Sequence, residues 1–182
     1  PRIKTDAGMY ESRCLVAERL RPQLTVQRPF SLSHQPRHEE PESLHSLLWL
    51  DFKASEEVQV REILDAWPDE CQPKLALLQM LERTLLGALE EAEEVGFTLG
   101  YDRSDRDVPS IAEHSQNRYH RGFLPIVRVM ARLWERVADL EPGPARDLAT
   151  GWSKSRFTLV KRLAVFSYTH ELFEAEAFAE LG

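Results

Sequence analysis

Apolar residues recur along most of this chain at spacings of three and four, in segments punctuated by prolines and glycines. That period puts apolar side chains on one face of an α-helix and predicts a succession of amphipathic helices. Residues 9–21 carry Cys14, Leu15, Ala17 and Leu20 on one side, and Pro22 stops the run. Pro41 suits the first turn of a helix whose buried side would hold Leu44, Leu47, Leu48 and Trp49. Ser55 followed by Glu56 and Glu57 reads as an N-cap with acids in the first turn. Val58, Ile63, Leu64 and Trp67 then form an apolar face as far as Pro68. The longest helix is predicted from Gln72, with Pro73 near its start and Leu75, Leu78, Leu81, Leu85 and Leu89 as its stripe. Gly96 marks its end.

A further helix is predicted over about 120–139, with Phe123, Ile126, Val127, Met130, Leu133, Trp134 and Val137 on one side. Pro142, Gly143 and Pro144 break the chain, and shorter helices follow over about 145–153, 156–169 and 171–180. Lys161 and Arg162 are expected to face outward. Residues 27–43 hold Pro29, Pro36 and Pro41 and read as a linker. This divides an N-terminal helix and Pro-rich linker, 1–40, from a helical-repeat domain, 41–182. Residues 98–110 read as a polar loop. The expected fold is therefore all-α, with antiparallel helical hairpins. Their broad apolar faces suit globular or solenoidal packing rather than a coiled coil.

An apolar fraction of 42% can fill a core, and no apolar run approaches a membrane span. The chain starts Pro1-Arg2-Ile3-Lys4 without a signal-peptide pattern, and its abrupt ends read as those of an excised fragment. Cys14 and Cys71 are far apart and form no metal or disulfide pattern, which points to two reduced thiols in a cytoplasmic protein. The net charge of −7 argues against general nucleic-acid binding, for which only Arg118, Arg121, Arg128, Arg132 and Arg136 offer a basic stripe.

Candidate chemistry is sparse. His34 and His38 would share a helical face with Glu39 and Glu40 nearby, but Pro36 between them removes that geometry. Glu90, Glu91, Glu93 and Glu94 read as a solvated helix face. Asp102, Asp105 and Asp107 lack the glycine and terminal glutamate of an EF-hand loop and read as local salt bridges. No nucleotide-binding, zinc-protease or serine-hydrolase motif occurs, and no cofactor or metal is expected. The distinctive patch is Ser110-Ile111-Ala112-Glu113-His114-Ser115-Gln116-Asn117-Arg118-Tyr119. Glu113, His114, Gln116, Asn117, Arg118, Tyr119 and Arg121 are the candidate binding residues. Bracing of helix ends is the expected role of Glu113, Gln116 and Asn117. The alternative is a ligand-binding or hydrolytic cleft with Glu113 and His114 as an acid/base pair.

Two resemblances sharpen this. Phe157-Thr158-Leu159-Val160-Lys161-Arg162-Leu163-Ala164-Val165-Phe166 resembles the second half of a HEAT-type helical hairpin, which implies a HEAT/armadillo-like α-solenoid fragment with divergent repeats. The 111–119 segment, the amphipathic helix after it, the Pro-Gly break, Trp152 and the run from Leu159 to Ala164 are similar to the helical C-terminal regions of large bacterial multidomain proteins with an ATP-binding core. Those proteins are linked to anti-phage defence, and some carry a Sir2-like effector. The similarity covers roughly residues 60–170, with Glu113-His114-Ser115-Gln116-Asn117 as its most specific element. It implies a non-catalytic scaffold or sensor that binds a protein partner or other domains of the same chain, with the NTPase and effector chemistry elsewhere.

Overall fold

The computed structural model describes residues 10–27, 49–54, 63–65, 67–97, 107–119 and 122–173, and among these the chain is mostly helical. Helix α1 spans Tyr10–Leu20 and buries Val16, Ala17 and Leu20, while Leu15 is left exposed. Strand β1 (Pro22–Gln27) follows at once and pairs antiparallel with β2 (Trp49–Ala54), setting Leu24 opposite Phe52 and Val26 opposite Leu50.

This small sheet corrects the all-α expectation. Residues 49–54 read Trp-Leu-Asp-Phe-Lys-Ala, and Leu50 and Phe52 are buried whereas Lys53 is exposed. That is the period-two alternation of a half-buried strand, and it removes Trp49 from the helix predicted after Pro41. Residues 41–48 and 55–62 lie outside the described residues, as does the histidine-bearing stretch 34–45. Phe52 meets Phe97 edge-on at 5.1 Å and Phe123 at 5.2 Å, which packs β2 against the core. The 40/41 boundary runs between the two paired strands, and α1 also packs on the long helix.

Helix α2 (Cys71–Glu94) buries Leu77, Leu78, Leu81, Leu85, Ala88, Leu89 and Ala92. Its end is a Schellman motif. Gly96, at φ 74°, donates to the Glu93 carbonyl at 2.9 Å, and Phe97 donates to Ala92 at 2.8 Å. Only a residue without Cβ enters that left-handed turn cheaply. At the other end Lys74 is fully buried; its ammonium donates to the Pro68 carbonyl and, at 2.8 Å, to Asp69. The bound lysine holds the Asp69 carboxyl below its ordinary pKa. The acidic run at the C-terminal end of α2 is tied to neighbours: Glu93 meets Arg156 at 2.6 Å and Glu91 meets Arg21 at 3.4 Å.

Helix α3 (Leu124–Leu140) is the axis of the molecule. It packs on α2, on α4 (Pro142–Ser153) and on α5 (Thr158–Tyr168), and ten of its 17 residues are buried. Pro142, Gly143 and Pro144 do not precede α4, as expected, but build its first turn, where a missing N–H costs nothing. The buried tryptophans satisfy their indole N–H groups across elements. Trp134 of α3 donates to the Ala145 carbonyl of α4, and Trp152 of α4 donates to Glu82 of α2, each at 2.9 Å. Burial pushes the Glu82 carboxyl above its ordinary range even though the indole bond favours the charged form. Lys161 is exposed as expected, but Arg162 is half-buried and donates to the Pro109 carbonyl at 3.0 Å, tying α5 to the loop before Ser110. The run predicted to be helical from 171 is a turn through Phe173, and residues 174–182 lie outside the described residues.

Candidate functional site

The charged residues of α3 form a narrow strip. Arg128, Arg132, Glu135, Arg136 and Asp139 follow one another at helical offsets of four, seven, eight and eleven, so their side chains share one face. The three arginines extend over about 12 Å of helix axis. Two other segments face this strip. The turn at 63–65 is fastened to it by Arg136, which donates to the Leu64 carbonyl at 2.9 Å and lies 3.6 Å from Asp65. The 110–117 loop brings Glu113 to 3.8 Å from Arg128 and 3.6 Å from Arg132.

Between these walls runs a groove of about 710 Å³. Its lining is mainly polar: Leu64, Ile111 and Ala131 border it but are buried, and Phe166 is half-buried. Three arginines and four carboxylates (Asp65, Glu113, Glu135 and Asp139) stand around it. Arg132 also meets Glu135 at 2.9 Å, and Asp139 lies 3.6 Å from His170, whose ring sits edge-on to Trp134. A second hollow of about 260 Å³, lined by Glu113, His114, Ser115, Asn117 and Arg128, adjoins it. Glu113 and Arg128 line both.

The loop that carries Glu113 is shaped by Asn117. The Asn117 amide is buried, accepts from the Ser110 N–H at 3.3 Å, and donates to the Ser110 and Ala112 carbonyls at 3.0 Å each. One side chain thereby satisfies three backbone groups of a loop that has no secondary structure to do so. Ile111 is buried beneath it and fixes the loop to the core. His114 is exposed; its Nδ1 accepts from the Gln116 N–H at 3.3 Å and its carbonyl accepts from the Asn117 N–H at 3.1 Å, which starts the short 3₁₀ turn Ser115–Tyr119.

The structure thus brings Glu113, His114 and Asn117 together with Arg128, and places Gln116 on the exposed side of the same turn. The side chains of Arg118 and Tyr119, and the whole of His120 and Arg121, lie outside the described residues. Asp65, Glu135 and Asp139 were not singled out from sequence, although the last two share the helical stripe of the arginines. Among the described residues no group of histidine, cysteine and carboxylate side chains is arranged to hold a metal. Cys14 and Cys71 are free; burial, reinforced by Glu141, pushes the Cys71 thiol above its ordinary pKa and so away from the reactive thiolate. Among the described residues no helix is long and apolar enough to cross a membrane.

No family model matches the chain, and no solved structure matches it. It is similar to the uncharacterized protein y4cA of Sinorhizobium fredii (strain NBRC 101917 / NGR234), at 26% identity over 163 residues that make up 87% of this chain. The chain spans only 13% of the length of that relative.

Proposed function

We propose that this chain is a non-catalytic helical scaffold or sensor module of a larger cytoplasmic bacterial protein, a HEAT/armadillo-like α-solenoid fragment of the anti-phage defence type. Its docking surface for a protein partner, or for another domain of its own chain, is the groove along α3. The groove itself carries the reading. A helix buried on its other sides keeps one charged strip open along the groove. Such a strip offers a protein segment directional polar and ion-pair contacts. The small share of the longer bacterial relative that this chain covers agrees with a module in a multidomain protein.

The hydrolytic alternative has less behind it. A general base needs a lone pair directed at substrate, whereas His114 Nδ1 accepts a backbone N–H and Glu113 is held by two guanidinium groups. The test is photo-cross-linking in a bacterium that encodes the chain, with benzoylphenylalanine at position 132 and, as control, at exposed Thr150. Discrete protein adducts at 132, absent at 150 and abolished by Arg128→Glu, are expected. Equal labelling at both positions overturns the docking reading. Turnover of model ester or phosphodiester substrates that is lost in His114→Ala would put catalysis in its place.

A further inference from the structure

We infer that β1 is a self-pairing edge, through which two copies of this chain join their two-stranded sheets into one continuous antiparallel sheet about a two-fold axis at Thr25. The existing ladder shows which backbone groups are free. The Thr25 hydroxyl donates to the carbonyl of Asp51, its opposite residue, at 3.0 Å. Asp51 therefore turns its carbonyl toward β1, and the two residues form a hydrogen-bonded pair of the ladder. Such pairs alternate, so Leu24 and Val26 turn their N–H and C=O groups to the outer edge of β1. The same alternation puts Pro22, which has no N–H, where the ladder needs none. Among the described residues, none hydrogen-bonds to Leu24 or Val26 from outside the sheet.

The residues of the edge name its occupant. Gln23-Leu24-Thr25-Val26-Gln27 presents the same chemistry read in either direction. An antiparallel copy centred on Thr25 sets Leu24 opposite Val26 of the second copy. These residues exchange both backbone bonds, and symmetry repeats the exchange, so every free edge group of Leu24 and Val26 is used. On the face that Leu24 presents to the core, Val26, 55% exposed in one copy, is covered by Leu24 of the other. On the opposite face exposed Gln23 meets Gln27, each amide holding donors and an acceptor, and Thr25 meets its own copy. Pro22–Gln27 holds no charged residue, so the pairing sets no like charges together, and the strand lacks the lysines with which other edges repel a second strand. One short strand per copy makes a small interface, so the dimer comes apart on dilution.

The test uses the full 182-residue chain. Sedimentation velocity over a dilution series should show a mass that approaches twice that of one chain as concentration rises. Val26→Lys should weaken self-association about tenfold, because symmetry removes two Val–Leu pairs at once, while its circular dichroism stays that of wild type. Disulfide trapping then tests the register, with Cys14 replaced by serine. Thr25→Cys should be trapped as a covalent dimer, since the axis brings position 25 of both copies to a Cα separation of about 4.5 Å. Gln27→Cys should not, since its two copies stand four residues out of register, about 13 Å along the strands. A chain that stays monomeric at every concentration overturns the inference. A dimer that Val26→Lys leaves intact overturns it in favour of another surface. Trapping of Gln27→Cys as readily as Thr25→Cys, or of neither, removes the two-fold register and the inference with it.

Discussion

Replacing Asn117 by alanine removes three hydrogen bonds at once and tests whether one side chain shapes the loop that presents Glu113. Two terminal contacts, to the Ser110 and Ala112 carbonyls, are well made at 3.0 Å, and the third, from the Ser110 N–H, is longer at 3.3 Å. A net value of about 1 kcal/mol applies to each good neutral bond. The long one adds a fraction, and water recovers part of the loss at Ala112, which is exposed. The expected destabilisation is about 2 kcal/mol. With an m-value of about 2 kcal/mol/M the urea midpoint should fall by about 1 M at unchanged slope. Asn117→Asp separates this bond accounting from simple loss of volume. It keeps an acceptor for the Ser110 N–H but turns an oxygen toward two carbonyl oxygens, so at neutral pH it should cost more than alanine. A midpoint for Asn117→Ala within about 0.25 M of wild type, or an aspartate variant no worse than alanine, would refute the bracing role.

Three further outcomes follow from buried groups. Glu82→Gln keeps the acceptor for Trp152 and removes a carboxylate whose pKa burial raises, so it should unfold at higher urea than wild type at pH 7. A raised folded pKa means that the folded state gains stability as pH falls through it toward the unfolded value. The advantage of the variant should therefore shrink by pH 4, and an advantage that grows on acidification would be the wrong sign. Lys74→Met should stay within about 1 kcal/mol of wild type in urea denaturation, because the buried stem is replaced by one of similar volume and no ammonium is desolvated. Asp69→Ala leaves that ammonium on the Pro68 carbonyl alone and should lower the midpoint more than Lys74→Met does; the reverse order would show that the pair is not the reason for Asp69. Gly122→Ala sets a Cβ 2.9 Å from the Phe52 carbonyl oxygen of β2 and should cost about 1–3 kcal/mol in the same assay; a neutral result would mean that the strand moves aside freely.

Where helices are long and end on glycine or proline, the pattern of the chain was enough to read them. The α2 leucines and the Gly96 stop, and the apolar side of α3, are strong local signals because each is repeated over several turns. The strands were missed because residues 49–54 supply only two inward positions, Leu50 and Phe52, and the preceding leucines imitate a helical face. Their partner β1 begins with a proline, which sequence reading takes as a stop, although proline is tolerated at the first residue of a strand. The ends of α3 and α4 moved for a related reason. The Pro-Gly-Pro run looks like a break, but the fold needs only Glu141 between the two helices and spends both prolines in the following turn.

The candidate site was legible in its parts, and its contacts were not. The segment around Glu113 to Arg121 and the exposed positions of the 120–139 helix read as one binding face, while the arginines of that helix also read as a stripe for nucleic acid. What joins them is long-range. Arg162 of α5 holds Pro109, Ile111 sinks into the core, and Asn117 folds the loop back so that Glu113 reaches across to the α3 stripe. None of those contacts leaves a periodic trace in the sequence. Once they are made, the charge pattern changes its meaning. Arg128, Arg132 and Arg136, which in isolation would suit phosphates, each find a carboxylate of the same chain within 4 Å. A basic stripe whose arginines are each met by a carboxylate of the same chain carries no surplus positive charge, which makes it a poor polyanion site.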